Sequence, residues 1–495
     1  LSEPNKNRSV DRVVDVVVVG YGGAGATAAI CAHDKGAEVL VLEKASEGGG
    51  STMESGGTIR MMKDARRAAD HFEAMVDGAT PRDLLDTYTH GIDELIVWLK
   101  HIGAEIVEWE GNAGYPPLPQ GSAYPHLPGA DAIGARVRVK PKVKGETGGQ
   151  ALWDALAAAV AKRGIDVVCG APVKRLIQEV QGGPVVGVVY TDARGKDVAV
   201  RARRGVVLTC GGFAANKEMH RDYFSPIGLD CVGPPGRNTG DGIKMAMAVG
   251  ADLWHMNAIA GPFGYTFPGH EAAFMNRTQA PNYIFVDRTA RRYVDEADLE
   301  YHACALTALN FDAAQSGYPR IPSYIIFDEV VRKAGPVALT VQGWNRRNPW
   351  SQDNLPEIER GWIKRGETPA ALARELGLDP TALTATVEEF NRNCAKGVDP
   401  RYGRKPEHMV PLNAPPYYGI EMRPCILNTQ GGPRRNAKSQ VVGTDREPVA
   451  RLYAAGELGS IWGNMYPGGG NVTEALVFGR LAGLNVAAET PLGDR

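Results

Sequence analysis

Asp15-Val-Val-Val-Val-Gly-Tyr-Gly-Gly-Ala-Gly-Ala-Thr-Ala-Ala-Ile30 is the stretch that decides how the rest of the chain is read. The valine run has the character of a strand buried on both faces. It ends in Gly20-x-Gly22-x-x-Gly25, and an alanine-rich helix follows without a break. A second strand, Glu38-Val-Leu-Val-Leu42, then delivers an acid, Glu43. Gly20 permits a tight turn, Gly22 lets the backbone approach a pyrophosphate, and Gly25 lets helix and strand pack closely. The helix start offers free N–H groups and partial positive charge, and an acid about 20 residues on is placed to bind a ribose hydroxyl. Strand, glycine turn, helix and acid together predict dinucleotide binding, with FAD and NAD both open at this point.

Outward from this unit, 495 residues exceed what one simple core supports, so two domains or one domain with a large insertion are expected. The net charge of −2 gives no electrostatic case for nucleic acid or an anionic membrane surface. No run approaches the roughly 18 to 20 apolar residues of a membrane-spanning helix. The seven cysteines form no CxxC or CxxCH, which argues against attached haem, a zinc ribbon or a thioredoxin-like pair. No metal site is expected. This cysteine usage suits a cytoplasmic protein, free or peripheral to a membrane.

Gly48-Gly-Gly-Ser-Thr-Met-Glu-Ser-Gly-Gly57 offers many N–H groups and little side-chain bulk, as backbone lying against a cofactor needs. Residues 64–103 read as mainly helical and 104–145 as irregular. Arg136-Val-Arg-Val-Lys140 alternates charge with valine, which a half-exposed strand explains better than an anion site. Thr147 is placed to cap a helix over 148–160, and Asp166–Cys169 is the next strand. Gly187–Thr191 and Asp197–Arg201 read as a hairpin, and Gly205–Phe213 as a further buried strand ending in glycines. Asn238-Thr-Gly-Asp-Gly242 opens a helix in which Asp241 serves either the first turn or a cofactor. From about 256 the strand–helix alternation stops and aromatics and prolines accumulate, as in an inserted domain. There Tyr283–Val294 reads as a hairpin, and Thr368-Pro and Asp379-Pro start helices over 369–376 and 380–396. The expected division is therefore 1–255 and 413–495 for a dinucleotide domain, with 256–412 as a capping domain.

The chain returns to the dinucleotide near its end. Leu452-Tyr-Ala-Ala-Gly-Glu457 is a strand ending in Gly-Glu, and Tyr466-Pro-Gly-Gly-Gly-Asn471 opens a helix from Val472. One dinucleotide has one pyrophosphate, so this second helix start should serve another negative centre, such as that of a reduced flavin ring.

Seven motifs stand in a fixed order: GxGxxG with Glu43, Gly49-Gly-Ser-Thr with Ser55-Gly-Gly57, Cys210-Gly-Gly-Phe213, Asn238-Thr-Gly-Asp-Gly242, Thr429-Gln-Gly-Gly432, Ala455-Gly-Glu457 and Gly469-Gly-Asn471. Their order resembles the FAD-binding domain of the fumarate reductase/succinate dehydrogenase flavoprotein family, which includes 3-ketosteroid dehydrogenases, urocanate reductase and L-aspartate oxidase. The resemblance spans almost the whole chain. It implies an α/β fold, a Rossmann-like FAD-binding domain split by an inserted α+β substrate-capping domain, with FAD held non-covalently. The implied cofactor residues are Gly20, Gly22, Gly23, Ala24, Gly25, Glu43 and Lys44 at the first turn. Gly49, Gly50, Ser51, Thr52, Ser55, Gly56 and Gly57 follow in the glycine loop, then Val173, Cys210, Gly211 and Gly212. Asn238, Gly240, Asp241, Gly456, Glu457, Asn471 and Val472 complete the set.

Departures from the family pattern narrow the activity. Where fumarate reductases carry HxTxGG, HGxNRxGGN and NExTTR, this chain has Ile426-Leu-Asn-Thr-Gln-Gly-Gly432, Trp462-Gly-Asn-Met-Tyr-Pro-Gly-Gly-Gly-Asn471 and Asp295-Glu-Ala-Asp-Leu-Glu300. The motif histidines and arginines are missing, and a dicarboxylate would lose its bidentate partners. This argues against fumarate and succinate. Tyr466 instead resembles the Tyr-Pro-Gly-x-Gly tyrosine of 3-ketosteroid dehydrogenases, which implies that its hydroxyl and the Gly470 N–H hold a ketone oxygen. Removing an α-proton beside a ketone needs its enolate stabilised, and such donors do that.

For the proton acceptor the resemblance points to Tyr301, displaced by one position. Adjacent His302 is the side-chain type that exchanges protons near neutral pH. Tyr115 or Tyr124 can supply a further tyrosine and Asn428 a substrate hydrogen bond. The expected activity is FAD-dependent introduction or reduction of a C=C bond beside a ketone, in a 3-ketosteroid or other alicyclic ketone, with an external electron acceptor. The alternatives are reduction of an unsaturated acid of urocanate or fumarate type, and a non-catalytic flavin-binding electron-transfer subunit.

Overall fold

The computed structural model describes residues 10–111, 121–224, 227–340, 342–347 and 349–493. Its organising layer is a parallel sheet in which Pro448–Ala454, Asp197–Leu208, Arg12–Val19, Val39–Leu42 and Asp166–Val168 lie in that spatial order. The valine run of the first strand is buried on both faces, as its sequence demands. Val16, Val18, Val39 and Val41 pack into one core, whereas Val14, Val17, Val19, Leu40 and Leu42 pack into another on the opposite side. The helices Gly23–Asp34 and Gly470–Ala488 lie against each other on the first of these faces. Both helix starts are thereby brought to the strand ends.

Most of the expected elements form where their residue patterns put them. Thr147 Oγ1 accepts from the Gln150 N–H at 3.0 Å and caps Gly148–Lys162. Thr368 and Asp379 cap Pro369–Leu376 and Pro380–Lys396 in the same way. Two strand expectations need correction. Asp197–Leu208 is one continuous strand, not a hairpin arm followed by a separate strand, because it leaves its antiparallel neighbour Val185–Thr191 and carries on beside Arg12–Val19. Tyr283–Val286 is a strand, but its partner is Ser323–Asp328; only the bridge Val286–Arg292 survives of the expected second arm.

A second, mostly antiparallel sheet has Tyr417–Ile426 at its centre. Its two faces again alternate: Phe285, Ile325 and Phe327 enter one core and Ile284, Val286 and Ile326 the other. Two of its strands, Tyr417–Ile426 and Asp230–Cys231, fall outside the expected insertion of 256–412. A third, small sheet sets Ile59–Met62 against Ile133–Val139, with Arg60 directly opposite Arg136. Among the described residues, no helix is long and apolar enough to cross a membrane and no three His, Cys, Asp or Glu side chains gather as a metal site.

Candidate active site

A cavity of about 290 Å³ runs along the carboxyl ends of the parallel strands and reaches residues of the second layer. Its walls take in Val19 and Gly20, Leu42 and Glu43, Thr209 and Cys210, and Ala455 to Glu457, all at strand ends. Open α/β sheets place their ligands at this edge.

One end is shaped for a dinucleotide. A Cβ on Gly22 would find nothing nearer than the Gly49 carbonyl at 3.8 Å, so the helix start faces open space that a phosphate can occupy. Gly25 sits behind, where a Cβ would lie 2.0 Å from the Gly20 carbonyl oxygen; helix and turn can touch only without a side chain. Glu43 is clamped by backbone, Oε2 accepting from the Tyr21 N–H and Oε1 from the Ala45 N–H, each at 2.8 Å. That holds its carboxylate at the strand end with lone pairs left for ribose hydroxyls.

Around this end the cavity is lined by Gly23, Ala24, Lys44, Gly50, Ser51, Thr52, Ser55, Gly56, Gly57, Val173, Gly211, Asn238, Asp241, Gly456, Glu457, Asn471 and Val472. Gly25, Gly49, Gly212 and Gly240 do not line it. They shape the backbone behind the wall. Asp241 ion-pairs with Lys44 at 2.8 Å; burial works to raise its pKa, and the ammonium holds it below the usual carboxylate value. Asn238 donates to Ser51 Oγ at 2.9 Å, tying the glycine loop to the opposite wall.

The other end is made of side chains. The Tyr466 hydroxyl oxygen accepts the N–H groups of Gly469 at 3.0 Å and Asn471 at 3.4 Å, where the terminal helix starts. Burial pushes its pKa up to about 12 against the pull of those amides. The group is therefore a phenol at neutral pH, with its proton free to donate and its oxygen polarised by the helix start. Gly470 lies on a small adjoining hollow with Phe72 and Tyr88 rather than on the main cavity.

The His302 ring meets the Tyr466 ring edge to face, with centroids 5.0 Å apart. Glu300 grips His302 twice, Oε1 at 2.8 Å from Nδ1 and Oε2 accepting the backbone N–H at 2.7 Å. An ionised carboxylate only accepts, so Nδ1 carries the hydrogen and Nε2 is the basic nitrogen.

Tyr301 also lines the cavity; its buried hydroxyl has no hydrogen-bond partner among the described residues, and Arg277 lies 5.7 Å from its ring centre. Burial raises the Tyr301 phenol far above its usual value, which makes it a poor proton acceptor. Asn428 is on the wall, donating weakly to the Thr429 carbonyl at 3.4 Å. Tyr124 is packed beside the wall and contributes no lining, and Tyr115 falls outside the described residues.

Three arginines, not anticipated from the sequence, share this end. Arg60, Arg136 and Arg277 line the cavity at 3%, 5% and 2% exposure. The strand expected at Arg136 exists, but the half-exposed reading of this residue does not hold: the small sheet turns its guanidinium into the cavity wall. The family-motif arginines are indeed absent, yet guanidinium groups are not. The sequence carried no common signal, because the three come from separate segments joined only by folding.

The fold and this site define a dinucleotide-binding class of protein whose cavity is lined by residues of both layers. The FAD binding domain family matches residues 15–473. A 3-oxosteroid 1-dehydrogenase of Mycobacterium tuberculosis is 30% identical over 96% of this chain and 98% of its own length. The 3-ketosteroid-delta4-(5alpha)-dehydrogenase of Rhodococcus jostii RHA1, solved with 4-androstene-3,17-dione, is 27% identical with TM-score 0.72 over 98% of this chain and 99% of that one. The 3-ketosteroid delta1-dehydrogenase of Sterolibacterium denitrificans shares the fold, with TM-score 0.83 and 23% identity over 96% of this chain and 100% of that one. The chain belongs to the FAD-binding flavoprotein family and is an FAD-dependent oxidoreductase.

Proposed function

We propose that the protein dehydrogenates a saturated C–C bond beside the ketone of an alicyclic, ketosteroid-like substrate. The observation that carries this reading is the Tyr466 hydroxyl, a protonated donor whose oxygen takes two amides of a helix start. Such a donor is built to hold a ketone oxygen and stabilise the enolate that forms on it. The names of the similar steroid dehydrogenases agree.

In this reading bound FAD supplies the acceptor for the β-hydride. His302 Nε2 takes the α-proton, and Glu300 steadies the imidazolium through Nδ1–H. Preferring His302 to Tyr301 as acceptor follows from their surroundings: one is a carboxylate-held imidazole, the other a phenol disfavoured as phenolate by burial. The ketone oxygen is assigned to Tyr466 without Gly470, which lies off the main cavity. Asn428 and Tyr301 position the substrate. Glu43, with the helix starts at Gly22 and Gly469, holds the dinucleotide. By sheet membership the capping layer extends to Ile426, and the electron acceptor is external. The cysteines are all free thiols, which supports a cytoplasmic site of action.

The test is turnover of cyclic ketones and 3-ketosteroids with an electron-accepting dye. A product lighter by two hydrogens is expected, with kcat lowered about 10²-fold or more in His302→Gln. Full turnover in that variant would remove His302 from the reaction. The second reading, reduction of an unsaturated carboxylate, is favoured by the three arginines. It predicts instead that such acids reoxidise the reduced enzyme while no ketone yields a dehydrogenated product.

A further inference from the structure

The small sheet gives the cavity part of its wall, and the register of its strands decides which residues stand there. Ile59 pairs with Val137 and Ile106 with Val139, and these four pack into the core on one face. Side chains alternate along a strand, so Arg60, Arg136 and Arg138 stand on the other face. The Trp109 N–H donates to the Arg136 carbonyl at 2.9 Å, which carries the pairing one residue past Glu108 and sets Trp109 opposite Arg136. Arg60, Arg136 and Trp109 therefore form a row across three strands, and all three line the cavity. The Arg138 guanidinium lies 5.1 Å from the Trp109 ring centre and steadies an indole that is itself only partly buried. At the other end of the row Arg60 donates to the Gly468 carbonyl at 3.2 Å, two residues from Tyr466. Adjacent strands are about 4.8 Å apart, so two spacings put the Trp109 backbone about 10 Å from that of Arg60.

We propose that Trp109 is a specificity-determining residue, its indole packing against the far rings of a fused-ring ketone whose carbonyl is held at Tyr466. The inference rests on the ketone-dehydrogenase reading above and adds to it the residue that ranks substrates by ring number. A single ring anchored at Tyr466 ends short of the far end of the row, whereas a fused system lies along it. An indole offers a large apolar surface and loses little side-chain entropy when a ligand covers it. Leu339 and Leu427 line the same cavity, so rings that leave water there meet further apolar wall. In this position Trp109 meets no reacting atom, and its contact is the same in the ground state and the transition state. Its removal therefore raises KM and leaves kcat in place.

The test compares kcat and KM for cyclohexanone, a bicyclic decalone and a saturated tetracyclic 3-ketosteroid, using holoenzyme with measured flavin content. In Trp109→Ala the kcat/KM of the tetracyclic ketone should fall about 10-fold or more, through KM, while that of cyclohexanone stays within about twofold. Trp109→Phe, which keeps a smaller aromatic face, should lie between wild type and Trp109→Ala. Trp109→Leu repeats the measurement if Trp109→Ala does not retain flavin. Binding of a ring-dienone ketosteroid to the oxidised holoenzyme, read from the shift in flavin absorbance, gives a readout independent of turnover. Its Kd should rise about 10-fold in Trp109→Ala. Losses of equal size at every ring number, or ratios and Kd unmoved in the variants, would overturn the role of Trp109 and leave the dehydrogenase reading standing. Failure of every ketone, from one ring to four, to yield a dehydrogenated product would overturn the reading beneath it.

Discussion

At the dinucleotide end of the cavity the wall is largely backbone: glycine turns, two helix starts and one acid clamped by main-chain N–H groups. At the other end six side chains, Arg60, Arg136, Arg277, Glu300, His302 and Tyr466, come from five separated parts of the chain. The difference follows from what each end must recognise. A pyrophosphate is met by amide groups whose placement depends on backbone conformation, so the requirement falls on glycine and on helix position. A proton transfer and an oxyanion require particular functional groups at particular points, and any strand or turn that reaches the spot can supply them.

The largest expected effect tests the backbone end. Gly25→Val puts a side chain into a gap where even a Cβ meets the Gly20 carbonyl, and purified protein should lack bound flavin. Normal flavin content would show that helix and turn need not touch. Next is the buried pair of Arg435 and Glu474, in which Glu474 also accepts from Ser460 Oγ and the Ile461 N–H. Removing one partner leaves a buried charge, so Arg435→Leu should lower unfolding stability by about 3–5 kcal/mol. Denaturant unfolding reads this, and a loss within error would mean that the pair contributes little.

Tyr466→Phe sharpens the contrast between the ends. It should keep full flavin and lose about 10²-fold in kcat. Loss of flavin instead would place Tyr466 with the cofactor end. The smallest effects are structural. Glu457 has its pKa pushed up to about 7 by burial, against the hydrogen bonds from Thr429. The folded protein then binds a proton that the unfolded chain has released, so this group's contribution to stability diminishes as pH rises from the ordinary carboxylate value of 4.5 to about 7. Glu457→Gln should flatten the melting temperature over that window. Thr147→Ala removes a helix cap and should cost about 1 kcal/mol, with the site intact.

The same contrast explains how much was legible in the sequence. The strand–turn–helix at Val16–Ile30, the acid Glu43 and the capped helices are local patterns, and each formed where its residues put it. Tyr466 was readable because its Pro-Gly-Gly-Gly neighbours open a helix. Arg136 was visible only as one charge in an alternating strand, and the alternation could not say which face would meet water. The partner of Tyr283–Val286 was likewise hidden, because Ser323–Asp328 is distant in sequence and the intervening turn mimics a hairpin. Glu300 stood where the fumarate-type motif has an arginine; that it holds His302 follows from a turn no pattern specified.

The central claim is that the side-chain end draws a proton and a hydride from a ketone. Anaerobic titration of the oxidised holoenzyme with an alicyclic ketone tests it most directly. The account predicts stoichiometric bleaching of the flavin and recovery of the α,β-unsaturated ketone. A flavin that stays oxidised with every ketone, while the dithionite-reduced enzyme is reoxidised by an unsaturated carboxylate, would contradict it.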